Sequence, residues 1–101
     1  MHKVTSNMGK KGLYARALTE FGAAQQRLML IEEIGELLNA FAKLPRGRAT
    51  EEDVLEELAD VSIMIEQMAL LYGGLTHYNL VRRQKLKRLK ERLACDGLIL
   101  L

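Results

Sequence analysis

The apolar residues of the stretch "LMLIEEIGELLNAF", residues 28–41, recur at helical intervals. Leu30, Ile31, Ile34, Leu37, Leu38 and Phe41 follow the i, i+3, i+4, i+7 spacing of a helix with one buried side. The pattern predicts a helix from about Ala23 to Lys43, stopped by "LPRGRAT", where Pro45 disfavours helix at Leu44 and Gly47 permits a turn. A second stripe, Val54, Leu58, Val61, Ile65, Met68 and Tyr72, predicts a helix from about Thr50 to Tyr72. Thr50 suits its N-cap, and Glu51, Glu52 and Asp53 suit the positive end of its dipole. Gly73-Gly74 ends it. A shorter helix over Leu13–Phe21 precedes the pair, ended or bent at Gly22, and a closing helix over Thr76–Ala94 carries a weaker stripe of Leu80, Leu86, Leu89 and Leu93. No strand alternation of useful length occurs. The expectation is an all-α, antiparallel helical bundle whose core four-helix arrangement is completed by oligomerisation. Residues 13–95 form the domain, 1–12 a flexible lead-in, and 96–101 a tail whose "LILL" packs on a neighbouring subunit or hangs free.

Composition narrows this picture. The 101 residues suit one domain, small enough that self-association is expected to enlarge its core. Hydrophobic residues make up 49% and charged residues 28%, which excludes a disordered chain. The net charge of +2 hides a segregation. Ten of thirteen acids fall between Glu32 and Glu66, and seven of fifteen bases between Arg82 and Arg92. The lone cysteine, Cys95, cannot form an internal disulfide and reads as an inert small residue, which fits a reducing, cytoplasmic setting. No apolar run reaches the ~20 residues of a membrane span, and the N-terminus lacks a signal peptide's apolar core, so no membrane partner is expected.

Candidate chemistry lies in the acids. Glu33 and Glu36 are three apart, as are Glu57 and Asp60, so each pair shares one side of its helix. On a helical wheel Glu33 flanks one apolar arc and Glu57 falls inside the other. The short connection makes the two helices antiparallel neighbours, so four carboxylates can converge. Like charges at close range repel, and partial burial adds to the cost of ionisation. A hard divalent cation such as Mg²⁺, which prefers oxygen ligands, relieves both. No His stands at E-x-x-H spacing, which disfavours a ferritin-like di-iron site. The plain alternative is a solvated acidic face, as expected for Glu51, Glu52, Asp53 and Glu66.

"EEIGE" at 32–36, followed by "ELAD" at 57–60, matches the E-E-x-x-E … E-x-x-D pattern. With "FGAAQQRLMLIEEIGELLNAFAKLPRG", "EELADVSIMIEQMALLYG" and the closing "KLKRLKERL", the chain resembles the MazG-like all-α nucleoside triphosphate pyrophosphohydrolases over residues 17–93. It has a single copy of the motif, like the single-domain members. The resemblance implies Mg²⁺-dependent hydrolysis (Mn²⁺ being an alternative ion) of a (d)NTP between the α and β phosphates, giving a monophosphate and pyrophosphate. It implies that Glu33, Glu36, Glu57 and Asp60 ligate the metal. Glu32 would orient or deprotonate water, or support a ligand from behind. Phosphoryl transfer needs positioning and charge neutralisation more than covalent help, which suits these residue types. Family members assemble as homodimers or homotetramers with sites walled by more than one chain.

Lys85, Arg88 and Arg92 share one side of the closing helix and could meet triphosphate oxygens, against the alternative of a solvated basic face. Lys85 matches the Lys that opens the family's closing motif. Gln26 could help bind nucleotide, or be an ordinary polar helix position. His2 and His77 lack partners in sequence and read as surface or turn residues, and Tyr14, Phe21, Tyr72 and Tyr78 read as packing before base stacking. A rival class is a helical nucleic-acid-binding module using "RRQKLKRLKERL", with salt-sensitive affinity. It leaves the acidic pairs unexplained, which disfavours nucleic acid as a partner. A structural interaction bundle without catalysis is a third reading.

Overall fold

A computed structural model describes residues 9–95, and all its regular structure is helical. The lead-in residues 1–8, with His2, and the tail residues 96–101 lie outside the described residues. Four α-helices follow in order: α1 (Lys10–Phe21), α2 (Ala23–Lys43), α3 (Glu51–Ala69) and α4 (Gly74–Cys95). Short 3-10 turns at Leu44–Arg46 and Leu70–Tyr72 extend α2 and α3. The first helix begins at Lys10 rather than Leu13, so part of the expected lead-in is helical. The last helix begins at Gly74 rather than Thr76.

Local chemistry accounts for the breaks. Thr50 caps α3 reciprocally: its hydroxyl accepts the Asp53 N–H at 3.0 Å, while the Asp53 carboxylate accepts the Thr50 N–H at 2.8 Å. Between α2 and α3, Gly47 sits at φ +71°, a conformation that costs a side-chain-bearing residue and suits glycine. After α3, Gly73 and Gly74 take φ +123° and +91°, and the chain direction bends by 112°.

The core is a helical hairpin of α2 and α3. Gln26 of α2 meets Gln67 of α3, and Glu36 meets Glu57. Ten residues separate the partners on each helix, in opposite chain directions, so the pair is antiparallel. One run of covered positions on α2 is Gln26, Leu30, Glu33, Leu37 and Ala40, and one on α3 is Val54, Glu57, Val61, Met64 and Met68; Gln67 and Ala69 of α3 are buried as well. Both runs alternate steps of three and four, the signature of a coiled-coil seam. Helix α1 folds back on this hairpin: the Tyr14 hydroxyl donates to Glu66 Oε1 at 2.7 Å, and Lys10 pairs with the same carboxylate at 3.2 Å. Glu66, expected to be solvated, instead anchors α1.

The stripes read from sequence only partly face this core. Ile31 and Leu38 are each 63% exposed, and Ile34, Phe41 and Leu58 are also open. The physical reason is geometric. A two-helix layer covers one seam, and an apolar arc broader than that seam needs a further layer. The closing helix does not supply it. After the 112° bend, α4 meets α3 through its first turns, and none of its residues is buried. The radius of gyration is 17.3 Å, against about 13 Å for a compact domain of this length. Thus the all-α class holds, while the described residues of one chain do not form a closed four-helix arrangement.

Candidate metal centre

Glu33 and Glu57 occupy seam positions that would ordinarily be apolar. Glu36 lies one turn along α2 from Glu33. These three carboxylates each present an oxygen, all within 4.8 Å of one another. Two oxygens on opposite sides of an octahedral Mg²⁺ stand roughly 4.2 Å apart, so small side-chain shifts would fit the group to one ion. Asp60, one turn along α3 from Glu57, stands at the edge of this group. Its charge acts on both Glu33 and Glu57, but its oxygens lie outside the mutual 4.8 Å set.

The electrostatics are strained without a counter-charge. Burial raises the Glu33 carboxyl above its ordinary range, and a shared hydrogen bond with Glu36 and the charges of Glu36, Asp60 and Glu57 add to it. Burial likewise raises Glu57, followed by the charges of Glu36, Asp60, Glu56 and Asp53. Every charge acting on these two groups is negative. Glu57 Oε1 is buried and has no hydrogen-bond partner. A buried carboxylate oxygen normally finds a donor. A hard divalent cation would satisfy it, and an all-oxygen donor set suits Mg²⁺ or Mn²⁺.

The other sequence candidates fall elsewhere. Glu32 is exposed on α2 and lies outside the carboxylate group. Gln26 is buried, and Gln67 Nε2 donates to its Oε1 inside the seam. It lies roughly 10 Å along the helix axis from Glu33. Its amide thus helps hold the hairpin, which is the ordinary polar role. Lys85, Arg88 and Arg92 are exposed on α4 beyond the bend, and none acts on Glu33 or Glu57. Two bases that the sequence reading did not single out, Lys43 and Arg48, line a cleft with Glu36 and Glu57, although neither is among the charges that act on Glu33 or Glu57. Their signal in sequence was two bases flanking the turn at Pro45 and Gly47, which reads first as a helix stop. Among the described residues, no single helix is long and apolar enough to cross a membrane. Comparison with protein-family models, curated proteins and solved structures finds no match to this chain.

Proposed function

We propose that this chain is an Mg²⁺-dependent nucleoside triphosphate pyrophosphohydrolase of the MazG-like kind, releasing pyrophosphate and a nucleoside monophosphate. The observation that carries the reading is the meeting of Glu33, Glu36 and Glu57 within 4.8 Å, with one Glu57 oxygen buried and unpartnered. Glu33 and Glu57 are half-buried in the seam between the two helices, and the exposed Glu36 joins them from α2. Glu33, Glu36 and Glu57 would hold the ion, with Asp60 completing the set. Mg²⁺ held by these residues would supply positive charge against the phosphate oxygens and would make water a better nucleophile. In the reaction, water adds to phosphorus, the P–O bond of the α–β bridge breaks, and pyrophosphate leaves. The proton of that water needs an acceptor; the motif gives Glu32, exposed on α2 four residues before Glu36, the role of accepting it, of orienting the water, or of supporting a ligand from behind.

The uncovered apolar surface supports assembly as a homodimer or homotetramer. In such an assembly α4 of one subunit would bring its Lys85, Arg88 and Arg92 towards the carboxylates of another. The same exposed basic helix favours a second reading, a nucleic-acid-binding module.

The test is a panel of NTPs and dNTPs with and without Mg²⁺, scoring monophosphate and pyrophosphate. Mg²⁺-dependent pyrophosphate release is expected, and Glu33→Gln and Asp60→Asn should abolish it while helical content persists. Full activity in both variants would reject the assigned ligands. Absence of hydrolysis across the panel, with nucleic-acid affinity falling steeply in salt, would replace the enzyme with the binding module.

A further inference from the structure

The turn between α2 and α3 builds a cleft of about 250 Å³ against the carboxylate group. It is lined by Glu36, Lys43, Arg48, Asp53, Glu56 and Glu57. Glu36 and Glu57 belong to both the cleft and the candidate metal centre. Despite the surrounding acids, neither Lys43 nor Arg48 makes an ion pair among the described residues. Asp53 is already engaged, because its carboxylate caps the Thr50 N–H. The backbone of the turn closes between the two bases: the Arg48 N–H donates to the Lys43 carbonyl at 3.1 Å, and the Gly47 N–H to the Leu44 carbonyl at 3.0 Å.

We propose that this cleft seats the distal phosphates of the substrate, with Lys43 and Arg48 as their anion contacts; the proposal rests on the nucleotide reading above. A metal–polyphosphate complex presents both signs of charge. Acids alone would attract the cation and repel the phosphates. A cleft that sets two unpaired cations beside the acids answers both halves of that ligand. The cleft, about 250 Å³ and open to solvent, has room for phosphate groups. Arg48 can grip phosphate oxygens in pairs, while Lys43 acts as a point charge.

The test uses the full chain and inorganic tripolyphosphate with Mg²⁺, with binding measured by calorimetry and the fold checked by circular dichroism. Lys43→Gln and Arg48→Gln should each weaken binding, and the double variant by at least about tenfold, with a matching rise in KM for the best nucleotide. Lys11→Gln, an exposed base on α1, should bind as the parent does. A double variant that binds tripolyphosphate like the parent, with hydrolysis intact, overturns the cleft assignment and leaves the proposed function standing. An equal loss in Lys11→Gln reduces the effect to net charge and also overturns it. A parent chain that neither binds tripolyphosphate nor hydrolyses nucleotides removes both proposals together.

Discussion

Glu33 and Glu57 bring carboxylate oxygens within 4.8 Å of each other across the α2–α3 seam, at positions where a helical hairpin normally places apolar side chains. The arrangement costs stability in a metal-free chain, because burial and neighbouring acids both oppose ionisation. A cation joining the oxygens would offset that cost.

That cost has a definite sign with pH. Both carboxyls are raised in the folded chain relative to the unfolded one. Their contribution to stability is therefore fully present below the ordinary carboxylate range and is lost as pH rises through the raised values. At pH 7 without metal, Glu57→Gln should raise the midpoint of thermal unfolding, since it removes a buried charge. The parent should gain stability when Mg²⁺ is added, and the variant should gain much less. Differential scanning calorimetry with Mg²⁺ and with a chelator reads both effects. A metal-free variant less stable than the parent at pH 7 would contradict the charge account.

The Tyr14–Glu66 bond ties α1 to the hairpin. Burial and Glu66 push the Tyr14 hydroxyl up to about 12, whereas Tyr14 and then Lys10 hold Glu66 below its usual range. Tyr14→Phe should cost about 1–2 kcal/mol in denaturant unfolding at neutral pH. The Tyr14 share of that stability should be lost as pH rises from 10 to about 12. The Glu66 share should be lost as pH falls below the ordinary carboxylate range. Identical pH profiles for parent and variant would deny the coupling.

The reciprocal cap on α3 engages Asp53, one of the residues lining the cleft. Thr50→Ala removes the hydroxyl that accepts the Asp53 N–H and should destabilise the chain by about 1 kcal/mol. Thr50→Ser should retain most of the parent stability. Denaturant titrations of the three chains decide this, and equal midpoints would remove the cap from the account.

The open apolar surface makes a further claim about assembly. Ile31 and Leu38 project from α2 at 63% exposure each, seven residues apart on the same side of the helix. Ile31→Lys with Leu38→Lys should shift the chain from oligomer to monomer in analytical ultracentrifugation. The same sedimentation for parent and double variant across a hundredfold concentration range would place the subunit contact elsewhere.

Much of the fold was legible because its causes are local. Helix-favouring composition, the Thr50 cap and the breaks at Gly22, Pro45–Gly47 and Gly73–Gly74 act within a few residues, and the observed helices start and stop within a few residues of those signals. The pairing of acids three apart was equally local. A wheel drawn at the 3.6-residue period put Glu33 beside the apolar arc; packing against a partner follows steps of three and four and puts it in the seam.

What the sequence determined by itself was the set of helices, their ends, and which acids share a side of each. Only the tertiary structure decided that Glu33, Glu36 and Glu57 meet, that Gln26 is taken by Gln67, that Lys43 and Arg48 line a cleft with Glu36 and Glu57, and that α4 bends away after its first turns. The physical reason is that helix formation is settled by backbone bonds between near neighbours. Register between helices and the angle at a double-glycine turn are settled by side chains distant in sequence fitting against one another.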